Sequence, residues 1–170
     1  MSTRALDKVL VSACLLGERV RYNGDHKRCD DDALWRWVDE GRVVPVCPEL
    51  AGGLGVPRPA SEIIGAAGGA KVLDGEARVV SSEADDVTAA FLRGAEIALA
   101  LAQAHGVRVA VLKEGSPSCG VRLTADGTFS GVKVDDSGVT TALLRRHGIV
   151  VFSEHEIALA DAALAGLSAR

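Results

Sequence analysis

Four short apolar runs set the frame of this chain. Residues 8–13, 43–47, 107–112 and 149–152 are rich in Val, Leu and Ile with almost no polar alternation. Unbroken β-branched runs of this length mark strands covered on both faces, which occur in parallel sheets. Between them lie segments with helical periodicity, predicted over residues 31–40, 83–105, 140–147 and 154–165. Strands that alternate with helices define the α/β class. The expected architecture is a Rossmann-like, mainly parallel sheet of about four core strands with flanking helices and two added β-hairpins. The hairpins are predicted at Lys71–Val80, turning at Asp74-Gly75 in a type I′ turn, and at Arg122–Val134, turning at Asp126-Gly127.

The helices carry their own signals. Asp30 to Asp32 give the first an acidic start, with Leu34, Trp35 and Val38 at helical spacing and Gly41 as a stop. In the longest, Val87, Phe91, Gly94, Ile97, Ala98 and Leu101 form one apolar face. Ser82 is its expected N-cap and His105-Gly106 its stop. Pro48 to Gly69 reads as a long Gly/Pro-rich loop, a length associated with function or disorder.

A chain of 170 residues with 48% hydrophobic content is expected to form one domain, residues 1–170, with a real core. Its net charge of −4 gives no electrostatic footprint for polymeric nucleic acid, though a nucleotide-sized ligand needs only one or two basic groups. Met1 to Lys8 does not read as a signal peptide, and no run reaches the roughly 18–20 apolar residues of a membrane span. The expected location is therefore cytoplasmic, with no membrane partner. In that compartment unpaired cysteines bind metal, catalyse or pack rather than form disulfides.

Three of the four cysteines stand where strands end. Cys14 closes Val9–Ala13, Cys47 closes Val43–Val46, and Cys119 lies just past Val109–Leu112 in Gly115-Ser116-Pro117-Ser118-Cys119-Gly120. Open α/β sheets place ligands outside the carboxyl ends of their strands, so these thiols are expected to meet there. Three soft ligands suit an iron–sulfur cluster, or zinc with one position open. The plain alternative is three small core residues. Gly, Pro and Ser neighbours at a strand exit argue against it. No CxxC pair occurs, which disfavours a zinc ribbon or finger. Cys29, in the charged loop Asp25–Asp31, reads as an incidental exposed thiol.

Glu49, two residues past Cys47, is a candidate general acid or base, its pKa raised by burial. Ser116, which precedes Pro117, reads either as a turn residue or as a hydroxyl aimed at the open position. Lys113 and Glu114 read as a solvated charge pair. Gly52 and Gly53 allow close backbone approach to a ligand. His105 and His147, at helix C-termini, read as structural.

Taken together, Val11–Gly17, Val20–Gly24, Val46–Leu54, Pro57–Pro59, Leu112–Gly120, Gly127–Gly131, Gly138–Thr140 and Phe152–Glu154 resemble the thiouracil desulfidase family TudS, also known as DUF523. The resemblance spans nearly the whole chain. It implies a [4Fe-4S] cluster on Cys14, Cys47 and Cys119 with one open iron, Glu49 as acid/base and Ser116 as catalytic serine. It implies hydrolytic, non-redox removal of sulfur from thiouracil or 4-thiouridine monophosphate, with cluster supply by iron–sulfur assembly machinery. Tyr22, Asn23, Gly52, Gly53, Arg58 and Ser118 become candidate substrate contacts, Arg58 for a phosphate. Asn23 stands where Asp is expected to be common. A zinc hydrolase built on the same thiols, and a sulfur or metal carrier without catalysis, are the competing readings.

Overall fold

The computed structural model describes residues 5–168; Met1 to Arg4, part of the amino-terminal stretch read above, lie outside the described residues. The central sheet is parallel and four-stranded. It contains β1 (Val9–Ser12), β2 (Val43–Val46), β5 (Val109–Leu112) and β8 (Val150–Ser153) in the order β2-β1-β5-β8. Val9 pairs with Val43 on one side and Val109 on the other, and Val109 pairs with Val150.

Side chains alternate along each strand, so the sheet divides two cores. Val9, Val11, Val109 and Val111 pack against Leu34 and Trp37 of α1 (Asp32–Asp39) and Ile157, Ala160 and Leu164 of α6 (Ile157–Ser168). Leu10, Val44, Val46, Ala110 and Leu112 face the opposite layer. There they meet Ala98 and Ala102 of α4 (Thr88–Ala104) and Leu144 of α5 (Val139–Arg146). The helix after β1 thus covers one face and the helix after β5 the other. That reversal opens a crevice at the carboxyl ends of β1 and β5, the switch point where such sheets take ligands.

Two antiparallel pairs are added to this sheet. β6 (Leu123–Ala125) pairs with β7 (Lys133–Asp135), as expected for the second hairpin, with a wider connection than a two-residue turn. The other pair is built differently from the expectation. Residues 71–80 do not form a hairpin. Lys71 to Leu73 end α3 (Gly68–Leu73), and β4 (Val79–Ser81) pairs with β3 (Ser61–Ile63). The reason lies in Gly75, which has φ +76° and donates its N–H to the Val72 carbonyl at 3.1 Å. A left-handed glycine serves a helix C-terminus as well as a type I′ turn.

The Pro48–Gly69 stretch is likewise more ordered than a loop. Pro48–Ala51 forms one helical turn, α2, with Cys47 as its N-cap and Pro48 at the first position, where a missing N–H costs nothing. Its end, Gly52, packs on α4: a Cβ there would run into the Ala90 carbonyl, and one at Gly94 into the Pro48 carbonyl.

Three helix details also differ. α4 begins at Thr88 rather than residue 83, and Ser82 is not its cap. The Ser81 hydroxyl accepts the N–H groups of Glu83 and Asp85, and Asp86 accepts that of Thr88, holding the acidic residues in a turn. The buried face of α4 is Phe91, Gly94, Ala95, Ala98 and Ala102, while Ile97 is 41% exposed, because small residues let the helix approach its neighbours. In α1 the buried anchors are Leu34 and Trp37; Trp35 instead donates to the Cys29 carbonyl at 2.8 Å and lies under Arg28.

Candidate functional site

Each strand exit shapes one thiol. After β1 the chain enters a 3₁₀ turn, Ala13–Leu16, closed by Gly17 at φ +92°. Its second residue is Cys14, whose carbonyl accepts the Lys27 N–H at 3.0 Å. After β2, Cys47 caps α2, and its Sγ lies 3.7 Å from the Val20 carbonyl oxygen. After β5 the chain makes a compact loop. There the Ser116 Oγ accepts the N–H groups of Ser118 at 3.0 Å and Cys119 at 3.1 Å. The N-terminus of α5 closes over this loop from outside, where Val139 and Thr140 donate to the Pro117 and Ser118 carbonyls at 2.8 and 2.9 Å.

Cys14, Cys47 and Cys119 are all free and all line one cavity of about 480 Å³, together with Glu49 and Ser116. The three thiols feel one another. Burial pushes the Cys14 thiol up to about 11, and the neighbouring Cys47 adds to that shift. Burial also raises Cys47, and raises Cys119 with further contributions from Cys14 and Cys47. In the protein alone such thiols hold their protons; a bound cation is what makes buried thiolates favourable.

Glu49 sits in the first turn of α2, mostly buried. Burial raises its pKa; Arg58 foremost, then Ser116, pull against that shift without cancelling it. Arg58 is neither a solvated loop arginine nor a free guanidinium. Its side chain is 6% exposed, with Nε 3.3 Å from Glu49 Oε1. Nη1 donates to the Gly55 carbonyl at 2.9 Å and Nη2 to the Val20 carbonyl at 3.0 Å. It therefore braces Glu49 and ties the 18–24 and 53–58 segments to the cavity wall.

The other expected contacts divide. Tyr22 lines the cavity and is 40% exposed. Asn23, Gly52, Gly53 and Ser118 are not among the lining residues. Asn23 accepts the Asp25 N–H at 3.0 Å within its own turn, Gly52 serves the α2–α4 contact, and Ser118 is buried against the Thr140 hydroxyl at 2.8 Å. Cys29 is half-buried rather than exposed, also outside the lining, and packs beside the α1–α6 core.

Lys113 and Glu114 were expected as a solvated pair, and the structure corrects this. Lys113 Nζ pairs with Glu154 Oε1 at 2.9 Å, and the Glu114 carboxylate accepts backbone N–H groups. Sequence reasoning missed most of the charged lining: Arg21, Lys27 and Lys133 join Lys113 around the cavity, alongside Glu62 and Glu114. These come from distant segments, and no local pattern marks them.

Among the described residues no three His, Cys, Asp or Glu side chains form a set that could hold a metal ion. A four-iron cluster is ligated through separate irons, one thiolate on each. The donor set fits such a group: free thiols following three adjacent strands and one shared cavity, whose lining also holds Arg21, Lys27 and Lys133.

An α/β domain with a thiol-lined crevice at its switch point is thus defined. The 2-thiouracil desulfurase family model matches residues 9–156, and the chain belongs to that family. A solved structure described as [4Fe-4S]-dependent thiouracil desulfidase TudS (DUF523Vcz) is 48% identical, with a TM-score of 0.85. The match covers 94% of this chain and 98% of that one. The Bacillus subtilis (strain 168) protein YbbK, described as uncharacterized, is 45% identical over 149 residues, covering 88% of this chain and 97% of that protein.

Proposed function

We propose that the whole chain, residues 1–170, acts as one desulfidase domain. On this reading it replaces the sulfur of a thiolated pyrimidine base or nucleotide with oxygen from water. The observation that carries the reading is the convergence of Cys14, Cys47 and Cys119 on one cavity with Glu49 and Ser116. Family membership and the name of the similar solved structure support it.

Cys14, Cys47 and Cys119 would hold a [4Fe-4S] cluster. When bound, the cluster would supply Lewis-acid chemistry to polarise a thiocarbonyl sulfur. The remaining work falls to the chain. Glu49, held by Arg58 and raised by burial, takes a proton from the water that attacks the thiocarbonyl carbon. Ser116, whose oxygen accepts two loop N–H groups, turns its hydroxyl toward Glu49, where it could pass a proton between Glu49 and the base. The balance is thiocarbonyl plus water to carbonyl plus hydrogen sulfide, with no net oxidation. Arg21, Lys27 and Lys133 line the same cavity, which supports a phosphate-bearing nucleotide as one member of this substrate class.

Among the described residues no helix is long and apolar enough to cross a membrane. A cytoplasmic location, with cluster supply by iron–sulfur assembly machinery, accords with a site of free thiols.

The test is anaerobic reconstitution with iron and sulfide, followed by an assay of sulfide release from 4-thiouracil, its nucleoside and its nucleotide. About four irons per chain are expected, the content of this cluster type, together with turnover. Cys14→Ser should abolish both. Iron uptake unchanged in Cys14→Ser, or a loaded protein that releases no sulfide from any of the three substrates, overturns the reading.

A further inference from the structure

The Glu114 side chain lines the cavity, yet it is not free to act there. Its Oε1 accepts four backbone N–H groups: Val121 at 2.7 Å, Arg122 at 2.9 Å, Leu123 at 3.0 Å and Gly115 at 3.2 Å. Its Oε2 shares the Arg122 N–H at 3.1 Å. These amides come from both ends of one loop. Gly115 opens the segment after β5, and residues 121–123 lead it into β6. Between them lie Ser116 and Cys119. The backbone N–H of Glu114 is in turn held by Glu154 Oε2 at 2.8 Å, while the other oxygen of Glu154 pairs with Lys113.

Other contacts share in closing the loop: Gly115 bridges to Thr124, the Gly120 N–H donates to the Ser116 carbonyl at 2.8 Å, and Arg145 Nη1 donates to the Val121 carbonyl at 3.1 Å. The N-terminus of α5 grips the Pro117, Ser118 and Gly120 carbonyls, and the Thr141 hydroxyl donates to the Cys119 carbonyl at 3.0 Å. Those contacts take up the carbonyls and leave the N–H groups of residues 121–123 to Glu114. A carboxylate is the side chain for this task, since it accepts through both oxygens and carries no donor to oppose the amides.

We infer that Glu114 is a positioning residue of the site: its carboxylate closes the 114–123 loop and so sets the place of the Cys119 thiol and the Ser116 hydroxyl. The inference rests on the proposed roles of those two residues. It predicts a local effect, felt at Cys119 and not at Cys14 or Cys47, which leave other strands.

The test uses full-length, metal-free, reduced protein under anaerobic conditions, with alkylation of each thiol followed by peptide mass. Several charge-assisted hydrogen bonds are lost in Glu114→Ala, so Cys119 labelling should rise at least about tenfold. Labelling of Cys14 and Cys47 should stay within about twofold on the same argument from local bonding. Glu114→Gln keeps one acceptor oxygen and should fall between wild type and Ala. Amide exchange at residues 121–123 should quicken in the same order, and iron retained after reconstitution should fall in that order. Should Glu114→Ala not fold, the Gln variant gives the same comparison. Unchanged Cys119 labelling overturns the inference, as does an equal rise at all three thiols, which would mean general loosening. If wild type takes up no iron, the desulfidase reading fails, while thiol labelling still decides whether Glu114 closes the loop.

Discussion

At the scale of the residue, the pairing of Glu49 with Arg58 carries the most information. A carboxylate in a mostly buried place needs a partner, and Arg58 supplies it at 3.3 Å while spending its other nitrogens on the Gly55 and Val20 carbonyls. Removing one member of a buried pair leaves the other uncompensated, at a cost of about 3 kcal/mol. Arg58→Ala should therefore lower the stability measured by urea unfolding by about that amount, and Glu49→Gln in the same chain should restore most of it. Equal losses in Arg58→Ala and the double variant would show that the pair is not coupled. Cys14, Cys47 and Glu49 were legible in the sequence because each stands close behind a strand end, and Cys119 because its Gly-, Pro- and Ser-rich loop follows one. Arg58 was legible as a candidate but not in its role. Its partner is fixed by the fold of the 53–58 segment, which nothing in Pro57-Arg58-Pro59 states.

At the scale of the element, the sheet and the helices that cover it were readable because unbroken apolar runs and 3.6-residue spacing are local. β3 and β4 were not. Their pairing joins Ser61–Ile63 to Val79–Ser81 across the helical turn of α3, and three-residue strands carry no pattern of their own. α2 was hidden by the glycines that follow it, of which Gly52 is a contact residue rather than a loop residue. Gly52 and Gly94 let α2 lie on α4, and α2 carries Glu49 and is capped by Cys47. Gly94→Ala would press a methyl into the Pro48 carbonyl. Overpacking of this kind should cost about 1–3 kcal/mol in thermal or urea unfolding. Gly166, inside α6 with nothing within 4 Å of an added Cβ, is the opposite case. There Gly→Ala should stabilise by about 0.5–1 kcal/mol through chain entropy. A neutral Gly94→Ala would mean that α2 shifts freely, so that the contact does not hold Glu49 in place.

At the scale of the whole molecule, the layer of α1 and α6 is held across the sheet edge by charge as well as by packing. Asp161 on α6 accepts from Arg36 and, at 3.0 Å, from the Trp37 indole N–H on α1. The Arg36 hydrogen bond first, then Trp37, hold its carboxyl below the ordinary value of 3.8. At the other end of the layer, Glu156 precedes α6 and pairs with Arg122 beside the Cys119 loop, which depresses its carboxyl as well. A carboxyl whose folded pKa lies below its unfolded one stabilises the native state above the unfolded value. That contribution is lost as pH falls through the folded value. Both arginines are exposed, so water screens the pairs and each contributes little. The stability these two pairs supply should therefore be present at neutral pH and be lost as pH falls below the ordinary carboxyl values of 4.5 for Glu156 and 3.8 for Asp161. Asp161→Asn keeps an oxygen for the Trp37 indole but removes the charge that Arg36 meets. Its deficit in urea unfolding should be largest at neutral pH and shrink as pH falls below the ordinary carboxyl value of 3.8 and the wild-type carboxyl takes up its proton. A deficit that stays constant across that range would mean that Asp161 acts through shape alone. In that case the α1–α6 layer would rest on Leu34, Trp37 and their apolar partners without help from charge.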